Sequence, residues 1–159
     1  MDFWMHIGLT ILCGGIIGLE RQLRGKAAGI RTSILICLGT QAFVSLSAAI
    51  GFGNAAYDPS RVLGQVVTGI GFLGAGVIMG KEGTVKGVTS AAIIWVLAAI
   101  GAAIGLGYPL IAATLTVVTV GVLVGVEMLE TSFRKLRQGA HARYTKGECG
   151  KEECDPEEE

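Results

Sequence analysis

A chain of 159 residues that is 51% hydrophobic and 16% charged, with a mean hydropathy of +0.59, is too apolar for an ordinary soluble domain. Thirteen Lys and Arg balance thirteen Asp and Glu, so no basic excess points to nucleic acid as a partner. The four cysteines make no secreted disulfide framework, and the 25 glycines sit mostly within apolar runs, where they mark close helix packing.

Five apolar segments follow one another: about Phe3–Leu19, Thr32–Gly51, Val62–Gly80, Val88–Leu106 and Tyr108–Val126. Each is long enough to cross a hydrocarbon core of about 30 Å at about 1.5 Å per residue. Met1-Asp2 lacks a basic n-region and the first run has no convincing cleavage site, so a removable signal peptide is not expected. Gly105, Gly107 and Pro109 predict a tight turn between the fourth and fifth segments. The expected fold is an all-α, polytopic membrane bundle of five transmembrane helices over residues 1–130. A charged tail over residues 131–159 should be amphipathic and basic at first, then disordered from Glu148 onward.

Twelve of the thirteen basic residues fall on one side of these segments, Arg61 being the exception. The positive-inside rule then places the N-terminus outside and the C-terminus in the cytoplasm. Trp4, Tyr57 and Tyr108 gather at the outer interface, as an aromatic belt predicts.

The third segment carries Gly69, Gly71, Gly74 and Gly76 within eight residues. In a water-exposed helix each would cost about 1 kcal/mol relative to Ala. In a bilayer the backbone stays helical and small residues admit neighbouring helices, so this stretch is expected to be the central helix, gripped from both sides. Gly14/Gly18, Gly76/Gly80, Gly101/Gly105 and Gly121/Gly125 repeat the GxxxG spacing elsewhere.

Polar side chains inside a bilayer are costly unless partnered. His6, Thr10, Cys13, Glu20 and Arg24 form one stripe on the first helix. Ser33, Cys37, Thr40 and Ser47, with Gln41 alongside, form one on the second, and Arg61, Gln65 and Thr68 one on the third. These faces are expected to meet. Most of the Ser and Thr positions suit structural bonds to backbone carbonyls; Glu20, Arg61 and Gln65 are harder to account for that way, although Glu20 has Arg24 or Arg31 as a neighbour to pair with. Asp58 before Pro59 reads as an N-cap for the third helix, or as a single carboxylate for a hydrated Mg²⁺. His141, Cys149 and Cys154 offer soft-metal ligands in a spacing that matches no zinc pattern. No nucleophile set, phosphate loop or carboxylate pair makes a case for an enzyme or a resident cofactor.

Several of these stretches together resemble the MgtC/SapB family of bacterial inner-membrane proteins. They are Gly14-Gly15-Ile16-Ile17-Gly18-Leu19-Glu20-Arg21-Gln22, Ala28-Gly29-Ile30-Arg31-Thr32, Asp58-Pro59-Ser60-Arg61, Gln65 through Ile78, and Val85-Lys86-Gly87-Val88-Thr89-Ser90-Ala91-Ala92 with Trp95. The resemblance covers about residues 7–129. It implies a link to growth at low Mg²⁺ and to survival inside macrophages, by action on other membrane machines, the ATP synthase among them, more than by transport. It also implies functional positions at Glu20, Arg21, Arg31, Thr32, Asp58, Arg61, Gln65 and Thr89. Thr89 stands where the best-studied relatives carry an Asn linked to partner interaction. Many relatives add a folded cytoplasmic regulatory domain; only a charged tail is expected here, without that regulation.

Two functions compete. One is a non-enzymatic inner-membrane protein of magnesium homeostasis and stress adaptation, acting through helix contacts as a homodimer or larger homo-oligomer, or on another membrane complex. The other is a small transporter or channel for Mg²⁺ or another cation, using the polar faces of the first three helices. The first is favoured because no intramembrane carboxylate sits near the bilayer centre, where ion-coupled transporters usually place one.

Overall fold

The helix with the most enclosed surface is not the glycine-rich one. In the computed structural model, which describes residues 3–52, 58–81 and 84–148 (side chains only as far as residue 129, and neither at Lys81 nor at Thr84), eleven of the eighteen residues of α4 (Val88–Gly105) are buried. Around it stand α1 (Phe3–Leu23), α2 (Ile30–Gly51) and α3 (Pro59–Gly76), each packed against α4. A fifth helix, α5, covers Pro109–Glu148. The architecture is an all-α bundle. Helices α1, α2, α4 and the Pro109–Leu129 part of α5 are each long and apolar enough to cross a membrane, which makes this a multi-pass membrane protein. Helix α3, with 18 residues the same length as α4, is less apolar and carries Arg61 and Gln65 in its first two turns.

Small residues set the helix spacing. A Cβ added at Gly18 would stand 2.6 Å from Ile30 Cα, and one at Gly14 would stand 3.0 Å from Ile34 Cα, so α1 lies directly on the α2 backbone. At Gly101 it would meet Cys37 O at 2.4 Å, and at Gly105 it would meet Gln41 O at 2.9 Å, so α2 lies as tightly on α4. Two of the GxxxG pairs are thus used inside the chain, as expected of such spacing. Hydrogen bonds reinforce the second contact: the Cys37 thiol donates to Leu97 O at 3.2 Å and the Ser45 hydroxyl to Gly105 O at 3.3 Å.

The third segment departs from expectation in two ways. Only Ile70 and Gly74 of α3 are buried; Gly69, Gly71 and Gly76 have no atom within 4 Å of an added Cβ, while Gly74 alone meets α4, at Ala91 and Trp95. The reason is competition for the centre. A helix whose first two turns carry Arg61 and Gln65 loses less by lying at the edge than α4, of equal length, whose body has no side chain more polar than Ser90 and Thr89. The helix also ends at Gly76, before Gly80. Met79–Lys81 and Thr84–Lys86 pair antiparallel as a short hairpin, β1 and β2, so Gly76 and Gly80 never share a helix face. Gly87, at φ +92, closes this connection: a side chain there would collide with Val77 O at 2.0 Å.

The helix ends follow the sequence closely. Asp58 caps α3 and Pro59 takes its first position. After α4, the Tyr108 N–H reaches Ala103 O and the Gly107 N–H reaches Ile104 O, with Gly107 at φ +83, which is the Schellman turn its glycine permits. Pro109 then starts α5, so the tight turn falls where it is expected.

By compactness the chain divides into Met1–Val120 and Gly121–Glu159. The second unit is helical as far as Glu148, which includes the basic stretch Arg134–Arg143. Cys149, Cys154 and all but the first residue of the stretch expected to be disordered lie outside the described residues.

If α4 is the centre, Gly101→Ala should cost about 1–3 kcal/mol through overpacking against Cys37, whereas Gly69→Ala should cost nothing. Thermal unfolding of the detergent-solubilised variants measures both; a Gly101→Ala protein as stable as the parent would contradict this packing.

Candidate functional site

Two polar regions emerge, one inside the bundle and one along its side. The first is built where the last turn of α1 meets the first turn of α4. Arg21 is 3% exposed, and its Nη2 donates to Ser90 Oγ at 2.6 Å. The turn that follows α1 fixes this geometry: the Lys26 N–H bonds to Arg21 O and the Gly25 N–H to Gln22 O, with Gly25 at φ +62. Gln22 Oε1 accepts from the Ile30 N–H at 3.3 Å and tethers the start of α2. Glu20 pairs with Arg24 one turn on, which selects Arg24 over Arg31. Among the described residues, neither Glu20 oxygen nor Arg21 Nε makes a well-formed hydrogen bond.

This cluster staples α1 to α4. A buried guanidinium held by one hydroxyl and lying beside Glu20 is an arrangement for fixing position. The sequence shows Ser90 as a polar residue of the fourth segment but assigns a functional position only to its neighbour Thr89. Thr89 is exposed. The signal for Ser90 was its phase: Ser90, Ile94, Leu97 and Gly101 recur at i, i+4, i+7 and i+11, and all four are buried.

The polar faces of α1 and α2 do meet. Thr10, Cys13, Ser33, Cys37, Thr40 and Gln41 are all buried, and Ser33 Oγ donates to Ala28 O while Gln41 Nε2 donates to Ser45 Oγ. The α3 stripe does not join them. Arg61 and Gln65 are exposed and line a groove of about 1070 Å³ between α2 and α3, and Thr68 turns away from it to bond Gly64 O at 2.9 Å. The meeting of three polar faces is therefore a meeting of two. The physical reason is reach: α2 presents one side to α1 and α4, so only its remaining side, at Thr32 and Ser47, is left for α3.

At the mouth of that groove Asp58 Oδ1 accepts from the Ser60 N–H at 2.9 Å. Hydrogen bonding to Ser60, and then the nearby Arg61 charge, hold the Asp58 carboxyl below its usual range, so it is ionised at neutral pH. Its capping bond accounts for it without a metal. No group of three His, Cys, Asp or Glu stands close enough to hold an ion among the described residues. Arg31 is exposed in the first turn of α2, and Thr32 stands at the end of the groove remote from Arg61.

Comparison with known proteins adds the family. Residues 7–132 match the family model described as MgtC family. YhiD of Escherichia coli K12, whose name proposes a magnesium transporter, is 39% identical over 149 residues, which cover 91% of this chain and 68% of YhiD. Protein MgtC of Brucella melitensis is 40% identical over 133 residues, 82% of this chain and 55% of that protein, and Protein MgtC of Salmonella paratyphi A is 36% identical over 152 residues, covering 64% of its length. The chain thus spans little more than half of the Brucella protein. No solved structure matches it at a significant level.

Ser90→Ala should destabilise the protein by about 1.5–3 kcal/mol, since it leaves a buried charged donor without its acceptor. Thr89→Ala, at an exposed position, should stay within about 0.5 kcal/mol of the parent. Equal effects of the two substitutions on thermal unfolding would remove the Arg21–Ser90 staple.

Proposed function

Because the chain belongs to the MgtC family, we propose that it is a non-enzymatic protein of the bacterial inner membrane that serves magnesium homeostasis and stress adaptation. It acts through helix contacts, with itself or with a membrane partner. The observation that carries this reading is a difference between its glycines. Gly14, Gly18, Gly101 and Gly105 are consumed by packing within the chain. On α3, by contrast, Gly64, Thr68, Gly71 and Ala75 fall on one face at spacings of four, three and four, with no atom within 4 Å of either glycine. In lipid, a face of small residues admits a second helix at close range, where dispersion and weak hydrogen bonds hold it. The magnesium connection comes from the name of YhiD and from the family resemblance.

A second reading, cation transport, draws on that same name and on Arg61 and Gln65 in the groove. The groove favours the first reading. Its mouth sets Arg61 beside the ionised Asp58 and so offers Mg²⁺ no net negative charge, and beyond Gln65 its polar lining is limited to scattered hydroxyls.

Gly64→Leu combined with Gly71→Leu tests the first reading, because both positions have room for a side chain and the fold should persist. The expected outcome is a smaller oligomer in detergent, unchanged thermal stability of the protomer and lost complementation of growth at low Mg²⁺. Unchanged assembly and growth would contradict contact through this face, and Mg²⁺ flux into proteoliposomes carrying the parent protein would establish transport in its place.

A further inference from the structure

The groove between α2 and α3 lies on a different face of α3 from the small-residue surface and has its own chemistry. It runs beside α2 from Thr32 to Gly51, about 30 Å at 1.5 Å per residue, which is the thickness of a hydrocarbon core. Gly39 and Gly69 stand on its opposite walls, and neither has an atom within 4 Å of an added Cβ, so both positions leave the groove open. Its charge is confined to one mouth. Asp58 and Arg61, oppositely charged and one helical turn apart, stand there, with Gln65 one turn further in. Beyond Gln65 the walls are mainly apolar, through residues such as Phe43, Leu46, Val66 and Leu73.

We propose that this groove is a binding site for one zwitterionic aminophospholipid of the surrounding bilayer. Its phosphate lies on Arg61, its ammonium on Asp58 and its ester carbonyls at Gln65, and its acyl chains run between α2 and α3. The order of charge, hydrogen-bonding amide and apolar wall reproduces the order of groups in such a lipid. At about 1070 Å³ the groove has the capacity of a small-molecule site. A helix would leave the Asp58 and Arg61 charges without matching partners unless it carried the opposite pair at the same height. An anionic lipid satisfies Arg61 but sets its net charge against Asp58, so the site discriminates between headgroups.

Native mass spectrometry of the full chain tests this. The protein is purified in a mild detergent, stripped of lipid and offered equal amounts of phosphatidylethanolamine and phosphatidylglycerol with the same acyl chains. One retained lipid per protomer is expected, with phosphatidylethanolamine favoured about fivefold, the weight of one exposed charge pair. Asp58→Asn keeps a good helix cap but loses the charge, and should bring the ratio close to one. Arg61→Ala should lower retention of both lipids. Gly69→Leu should lower retention of both lipids with thermal stability unchanged, because the added side chain projects into the groove from a position with no atom within 4 Å of its Cβ. Equal retention of the two lipids by the parent, or a ratio unaffected by Asp58→Asn, would overturn the proposal. A lipid-free dimer disrupted by Gly69→Leu would also overturn it, and would seat a second copy in the groove.

Discussion

The approach of α2 to α4 is the constraint on which the rest of the bundle depends. At Gly101 and Gly105 a single added carbon would stand 2.4 Å from Cys37 O and 2.9 Å from Gln41 O. Backbones this close exclude lipid and water from the seam, so polar groups there must find partners within the protein. They do: the Cys37 thiol and the Ser45 hydroxyl both donate to α4 carbonyls. Once α2 and α4 are joined, α1 can reach both only from one side, where Gly14 and Gly18 let it settle on α2 and Arg21 reaches Ser90. Helix α3 is left with the opposite edge of α4.

The placement of charge follows from this order. A guanidinium buried in the bundle is expensive, and Arg21 offsets part of that cost through its bond to Ser90 and the negative charge of neighbouring Glu20. Its position at the end of α1, and not in its middle, lowers the cost further. Arg61 meets the same physics differently. It stands in the first turn of α3, exposed, beside the ionised cap Asp58. One arginine therefore holds the bundle together and the other faces outward, although both belong to the motifs through which the sequence resembles the MgtC/SapB proteins.

Much of this was legible in the sequence, and the errors have a common origin. Segment length and hydropathy placed all five helices, and Pro59, Gly107 and Pro109 marked their starts and stops. The GxxxG spacing at Gly14/Gly18 and Gly101/Gly105 pointed to the pairs that pack. The same reasoning overreached at Gly69–Gly76, because glycine density reports that a helix can be approached closely and not that another helix of the same chain does so. Which helix becomes central is decided by a sum over whole faces. Helix α4, with apolar or small residues on every side, wins that sum over α3, which carries Arg61 and Gln65. The role of Ser90 was hidden for a related reason. A single serine has no periodic signature of its own, and its role appears only when the buried stripe Ser90, Ile94, Leu97 and Gly101 is read together with an arginine 69 residues away. The hairpin at Met79–Lys86 was hidden because Val77, Ile78 and Met79 continue the apolar run past the point where the helix stops.

With α4 enclosed and α3 at the edge of the bundle, the proposed contact face and the proposed lipid groove both lie on α3. The most direct test is footprinting in bilayers with a lipid-soluble carbene reagent, read out residue by residue by mass spectrometry. Strong labelling is expected at Phe72, which is 83% exposed, and none at Leu97 and Ile100, which are fully buried. Labelling of Leu97 and Ile100 at the level of Phe72, or protection of Phe72 in single-copy nanodiscs, would show that the glycine-rich helix is the central one and that the present account is wrong.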